Sequence, residues 1–382
     1  MSANAPSIML VAGEASGDLH GATLARALKD LAPGCRLFGM GGGRMAGAGV
    51  ELLADVTTAA AAGGTEAIGR VALLLRAFLR LRAVVERSPR PAALVLIDFP
   101  EFNLRLARVA TRAGVPVVYF IPPQLWAWRG GRIRTIRRFV SLVLAVFPFE
   151  LPFYRHAGVP VEFVGHPLLD ALDGAPPRVE ARRELGVDAA PRVIGLLPGS
   201  RREEVERLLP AMREAAARVA LVRPDTRFVL GLAPTVEAAA IQRHLDGAPP
   251  VAVVAHRPHT VMRAADLLLV SSGTATLEAA LLGTPMIVAY RLSRPSEVMV
   301  RLLVRVPWIS LANLTLGRSV VPELYQEAVT GARLAGEALR LLDDAAGMEA
   351  QREAFRELRD QLGAPGVGMR AARLVLETAR AA

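Results

Sequence analysis

Short runs of valine, isoleucine, leucine and phenylalanine recur along the chain, each bounded by glycine, proline or charge and followed by a longer stretch of helical period. In the first half they are SIMLVAG from Ser7, RLFGMG from Arg36, ALVLIDF from Ala93, VPVVYFI from Val115, LVLAVF from Leu142 and EFVG from Glu162. Continuous apolar runs of this length, without alternation, predict strands buried on both faces of a parallel sheet with crossover helices. A Pro- and Gly-rich break at Asp173–Pro177 (DGAPP) interrupts the rhythm and reads as a linker. The pattern then restarts with RVIGLLPGS, TRFVLGLA, VAVVAH, DLLLVSSG and PMIVAY. The expected fold class is α/β: two doubly wound, Rossmann-like domains facing a central cleft, with a helical C-terminal tail. The expected boundaries are 1–170, a linker at 171–190, a second domain at 191–345 and helices over 346–382.

In such sheets ligands bind at the carboxyl ends of the strands, so the loops after strands carry the candidate chemistry. AGEASGDLHG (Ala12–Gly21) places Glu14 and Asp18 between the first strand and its helix, with Ser16 or Asp18 as the alternative helix cap. LVLIDFPEFN ends a buried strand on Asp98, followed by Glu101 and Asn103. A carboxylate there is placed to take a proton from a substrate hydroxyl, or more simply to cap the next helix. In the second half, Gly199, Ser200 and Arg201 open one helix, and Ser272, Gly273 and Thr274 open another. Two small-residue helix starts with free amides suit a diphosphate, Arg201 can neutralise it, and Glu278 one turn further can take the hydroxyls of a ribose. Neither loop is a Walker A motif, because no lysine follows the glycines.

Gly41, Gly43 and Ala46 match the spacing of a dinucleotide fingerprint, but they follow the second strand and no acidic residue follows at ribose distance. His256 and His259 lack a third ligand and read as non-metal, and His166 reads as a hydrogen-bonded hinge residue. The stretch Ile68–Arg90 sets Arg70, Arg76, Arg80, Arg82 and Arg87 among Leu74, Leu75, Leu79 and other apolar residues. It suits a helix lying on anionic lipid, or a core helix with a snorkelling basic face. Trp126 and Trp128 precede a basic run that offers a second such surface.

Composition narrows the picture. With 382 residues, 52% apolar and 21% charged, the chain is an ordinary globular protein with room for two large cores. Its formal net charge of +10 suggests an anionic partner, although every basic residue except Lys29 is arginine. Three Trp and four Tyr leave little for stacking bases, which argues against nucleic acid. The single cysteine, Cys35, excludes an intrachain disulfide and a cysteine-based metal cluster and fits a reducing compartment. No signal-like leader and no long uncharged apolar run is present, so contact with a membrane would be peripheral.

Taken in order, AGEASGD, GMGGGRM, IDFPEFN, WAWR, FPFELPFY, FVGHPLLD, LLPGSR, SSGTATLEA and SLANL resemble the lipid-A-disaccharide synthase family, inverting glycosyltransferases of the two-Rossmann-domain (GT-B) type. The resemblance implies transfer of 2,3-diacylglucosamine from its UDP donor to 2,3-diacylglucosamine 1-phosphate, giving a β(1→6) disaccharide 1-phosphate and UDP without a metal or other cofactor. It carries Asp98, Arg201, Ser272 to Thr274, Glu278 and Asn313 over as site residues; for an acceptor hydroxyl that needs a base, Asp98 is the best placed, with Glu14 as second choice. It further implies a homodimer built from the C-terminal parts. Location would be cytoplasmic, peripheral on the inner face of the inner membrane of a Gram-negative bacterium. The chain departs from the family at Pro122, Pro123 and Gln124, at Glu101 and at Ala312, positions that bear on acyl selectivity and acceptor geometry. The alternative activity on the same architecture is a UDP-sugar 2-epimerase, and a non-enzymatic alternative is a peripheral protein that only binds a nucleotide sugar.

Overall fold

A computed structural model describes residues 6–56, 67–125, 130–233, 235–242, 244–245, 249–293, 297 and 306–381. The chain divides into two compact units, Met1–Asp170 with Leu362–Ala382, and Ala171–Gln361.

The first unit is built on seven strands: β1 (Ser7–Ala12), β2 (Arg36–Gly41), β3 (Glu51–Asp55), β4 (Ala93–Ile97), β5 (Val117–Phe120), β6 (Leu142–Ala145) and β7 (Val161–Phe163). They pair in the order β3-β2-β1-β4-β5-β6-β7, parallel throughout. The central strands β4 and β5 are buried at every position, as their uninterrupted apolar sequence requires. Helices α1 (Ala15–Leu31), α2 (Gly43–Gly47), α3 (Ala67–Glu86), α4 (Pro100–Arg112) and α5 (Ile133–Phe139) belong to the same unit. Alternate strand residues such as Met9, Leu94 and Val117 share one core with Leu81 of α3, Leu106 of α4 and Ile136 of α5. Each such side chain contributes about 2 kcal/mol by leaving water.

The second unit holds β8 (Arg192–Leu197), β9 (Thr226–Leu232), β10 (Val251–Ala255), β11 (Leu267–Ser271), β12 (Met286–Tyr290) and β13 (Glu323–Tyr325). Their order, β10-β9-β8-β11-β12-β13, is again parallel. Each sheet reverses its winding once, between β1 and β4 in the first and between β8 and β11 in the second. At these switch points neighbouring loops leave the sheet in opposite directions and open a crevice.

Two segments fall elsewhere than the strand rhythm suggested. The stretch expected as a linker packs on the second unit: Asp266 takes Arg182 at 2.6 Å, the Val193 amide at 2.8 Å and Arg178 in a further ion pair. The C-terminal helices divide. Ala345–Gln361 stays with the second unit, whereas Val367–Arg380 returns to the first and packs on α1. Asp170 holds that return, its carboxylate accepting from the Gly366 amide at 2.6 Å and the Val367 amide at 2.9 Å. His166 is hydrogen-bonded in the same place: its amide donates to the Leu362 carbonyl, and its Nδ1 accepts from the Leu168 amide at 3.2 Å. Among the described residues, no helix is long and apolar enough to cross a membrane.

Candidate active site

In the first unit, register alone sets two candidate carboxylates side by side. Ala12 pairs with Ile97, so Gly13–Glu14 and Asp98–Phe99 leave adjacent strands together. The Phe99 ring covers Gly13 so closely that a Cβ there would stand 2.2 Å from the ring, which is why this position takes glycine. Asp98 and Phe99 both have φ of 48°, two consecutive left-handed residues without a glycine. Such backbone costs on the order of 1–2 kcal/mol per residue and persists only where neighbours fix it. Here the Asp98 carbonyl accepts from Asn103 Nδ2 at 2.6 Å and from the Tyr119 hydroxyl at 2.8 Å. Asn103 and Tyr119 are wholly buried, so the strained corner is clamped from beneath.

The result is a carboxyl aimed out of the strand end and poorly solvated. Burial, then the nearby Glu14 charge, pushes the Asp98 carboxyl up to about 6, against a smaller opposing effect of the Phe99 amide. A base titrating there is ionised at neutral pH yet basic enough to take a proton from a sugar hydroxyl as that hydroxyl attacks. Beside it, Glu101 pairs with Arg132.

Asp18 does not cap α1. Its carboxylate accepts from the Gly42 amide at 2.7 Å, the Arg44 amide at 3.0 Å and the Met45 amide at 3.0 Å. The amides that a dinucleotide fingerprint would offer to a pyrophosphate are therefore already occupied by a carboxylate of the protein itself.

In the second unit a cavity of about 260 Å³ lies at the switch point and is lined by Gly199, Ser200, Glu204, Ser272, Gly273, Thr274 and Glu278 among others. The two helix starts that border it differ. At the helix Arg202–Val222, Glu204 folds back and accepts from the Ser200 amide at 3.1 Å and the Arg201 amide at 3.4 Å. Gly199, at φ +127°, permits this, since a Cβ there would meet the Glu204 carboxylate at 2.5 Å. That start is filled, contrary to the expectation of two free ones. At the helix Thr274–Leu281 no side chain caps the amides, and among the described residues those of Gly273, Thr274 and Ala275 make no hydrogen bond within the protein. This is the start open to an anion. The Ser272 hydroxyl donates to the Ile309 carbonyl at 2.6 Å, whereas Ser271, which also lines the cavity, has a buried hydroxyl without a hydrogen-bond partner among the described residues.

The Arg201 side chain is 79% exposed, 3.8 Å from Glu204, and free to swing toward a ligand. Glu278 faces the cavity with His259 Nε2 3.7 Å from its carboxylate, a pairing that the spacing of the two residues along the chain does not reveal. Asn313 is fully buried, its amide donates to the Val321 carbonyl and Glu323, and its oxygen accepts from the Val320 and Val321 amides. These bonds use every hydrogen-bonding position of its side chain and fix the loop behind Ser272.

On α3 the leucines separate. Leu75 and Leu79 are 56% and 52% exposed and align with Val71 at 66%, a residue the sequence reading did not single out. Leu74 turns inward against the core instead, and Arg76 and Arg80 are exposed beside the apolar line. Trp126 and Trp128 lie outside the described residues.

A half-buried carboxylate at one switch point, and at the other an anion-ready helix start beside an acidic residue, on two Rossmann-like sheets, fit a glycosyltransferase of the two-domain type. A family model for lipid-A-disaccharide synthetase matches residues 8–373. The lipid-A-disaccharide synthase of Geobacter sulfurreducens is 45% identical over 371 residues, covering 97% of this chain and 96% of that one. That of Trichlorobacter lovleyi is 44% identical over 370 residues, with coverage of 97% and 96%. The chain belongs to the lipid-A-disaccharide synthetase family, and its activity is that of a lipid-A-disaccharide synthase. Among solved structures, a UDP-GlcNAc 2-epimerase from Neisseria meningitidis bound to UDP-GlcNAc superposes with a TM-score of 0.63 at 14% identity, covering 98% of this chain and 99% of that one. The glycotransferase of kitacinnamycin does so with 0.60 at 20%, again over 98% and 99%. These likenesses are of fold alone, and the epimerase reading has no support beyond them.

Proposed function

We propose that the chain transfers 2,3-diacylglucosamine from its UDP donor to the 6-hydroxyl of 2,3-diacylglucosamine 1-phosphate. The observation that carries the assignment of roles is the Asp98 carboxyl, poised near pH 6 by burial and Glu14 on a clamped corner. Asp98 is the general base, taking the hydroxyl proton as the oxygen attacks the anomeric carbon, and Glu14 keeps that base from ionising too readily. The departing diphosphate is held by the open amides at Gly273 and Thr274 and by Arg201, which supply hydrogen bonds and positive charge where negative charge grows. Glu278, oriented by His259, takes the ribose hydroxyls. Gly199 and Ser200 shape the cavity wall, and Asn313 positions the loop. Residues 1–170 then serve the acceptor and the membrane, and the second unit the UDP-sugar.

Both substrates carry acyl chains, so the enzyme works at a lipid surface, peripheral to the inner face of the inner membrane. The exposed line Val71, Leu75 and Leu79, with Arg76 and Arg80 beside it, is the surface we assign to it. A homodimer through the C-terminal parts belongs to the same reading and rests on the family resemblance.

The test is a mass-spectrometric assay with both acylated substrates in detergent. Disaccharide 1-phosphate and UDP are expected from the wild type, with turnover lost by orders of magnitude in Asp98→Asn and Arg201→Ala. UDP affinity should hold in the first variant and fall in the second. Undiminished turnover in folded Asp98→Asn would overturn the assignment of the base.

A further inference from the structure

The basic run after Trp128, read from the sequence only as a second lipid-facing surface, contributes to a basic feature of the first unit that the proposed reaction does not use. A cleft of about 560 Å³ opens between α4 and α5, lined by Arg108, Arg112, Arg134 and Arg138 with Thr135 and Phe139. All four arginines are exposed, and among the described residues none forms an ion pair. Several helical arginines elsewhere are matched at one turn, as in Arg202–Glu206, Arg207–Glu203 and Arg218–Glu214, whereas here four unmatched ones line a single cleft. The cleft is also built rather than accidental. The Thr111 hydroxyl lies 2.9 Å from both the Ala107 and Phe139 carbonyl oxygens, tying α4 to the end of α5. The Phe139 ring then supports two guanidinium groups, Arg108 at 5.4 Å and Arg138 at 5.3 Å from its centroid.

Cation–π attraction to one ring gathers two like charges without a counter-charge, and guanidinium groups present planar donor forks that match a phosphate. We infer that the α4–α5 cleft is a phosphate-recognition site and that its ligand is the headgroup phosphate of an anionic lipid. The lipid source follows from position: α4 packs between α3 and α5, all three contribute to one core on one face of the sheet, and α3 carries the exposed apolar line. In this respect the inference rests on the membrane role proposed for α3. The apolar line would supply general adhesion, and the cleft would supply preference for anionic headgroups.

Flotation of the full-length protein with phosphatidylcholine vesicles, with and without phosphatidylglycerol, tests it. R108Q/R138Q should weaken binding to the phosphatidylglycerol vesicles by roughly 10-fold or more, toward the level of phosphatidylcholine alone. R183Q/R227Q removes the same charge from exposed positions of the second unit and should leave binding within about 2-fold of wild type. Equal losses in the two variants would mean diffuse attraction and overturn the site. Calorimetry with inorganic phosphate and glycerol 3-phosphate separates the sources. Binding of these that vanishes in R108Q/R138Q, with vesicle binding unchanged, would make the ligand a soluble phosphate and overturn the lipid assignment. V71S/L75S/L79S tests the α3 role separately. If that variant still binds vesicles the α3 role fails, while a persisting gap between the two arginine pairs would still uphold the cleft.

Discussion

Replacing Asp98 by asparagine has a consequence for stability as well as for turnover. The folded protein raises this carboxyl from its ordinary 3.8 to about 6. Between those values the unfolded chain has released the proton and the folded chain has kept it, so rising pH costs folding stability. The cost is absent below pH 3.8, grows to about pH 6 and is constant above. Two units correspond to about 3 kcal/mol, and because Asp98 is only half-buried we discount this to ~1–2 kcal/mol. Asparagine keeps the shape and the Phe99 amide's acceptor without the charge. The variant should therefore melt roughly 2–8 °C above the wild type at pH 8 if the first unit unfolds cooperatively, with the gap closing by pH 4. Scanning calorimetry across pH reads this directly, and turnover, lost in the same variant, separates a destabilising catalytic group from a structural one. A variant less stable than wild type at pH 8, or a gap independent of pH, would refute the account of Asp98 as a carboxylate held against its preference to ionise.

Glu14→Gln removes the second contributor to that shift, so the acidic limb of kcat/KM should move down by about half to one unit, measured as a pH–rate profile; an upward move would contradict it. Asp18→Ala strands three amides of the glycine-rich turn and should cost about 3 kcal/mol in urea unfolding, with UDP affinity unchanged. His20, half-buried, and His166, buried, have pKa values lowered to about 4 and about 3, the first by desolvation and the second by desolvation and by His20. Their contribution is intact above the unfolded value near 6.5 and is lost as pH falls from there toward 4. His166→Asn, which keeps an acceptor for the Leu168 amide, should flatten the acid side of the stability curve. Gly273→Ala places a side chain at φ +149° on the open helix start and should weaken UDP binding about 10-fold by isothermal titration while leaving the melting temperature within a few degrees.

Runs such as ALVLI and LLLV point to the centre of a parallel sheet, because nothing polar in them could face water. The loops that follow them, with Glu14, Asp98, Gly273 and Glu278, were legible for the same reason: strand ends at a switch point are where such sheets open. Two of the four edge strands, β3 and β13, were not legible. Glu51–Asp55 is short with a charge at each end, and Glu323–Tyr325 has three residues, so each depends on a neighbour for its pairing rather than on its own pattern.

Tertiary structure decided which groups are free to act. Gly199–Ser200–Arg201 and Gly273–Thr274 read alike as helix starts, yet one is filled by Glu204, and nothing in the spacing forces that carboxylate to fold back. Asn313 and Asp18 belong to motifs of the family, but their hydrogen bonds go to amides that are distant along the chain or buried in a loop. The poise of Asp98 depends on burial and on Glu14, 84 residues earlier in the chain, which only strand register brings beside it. Sequence fixes which side chains exist and where strands must end. Which amide is satisfied, which charge is desolvated and which leucine of α3 faces out depend on distances between segments that no local pattern contains.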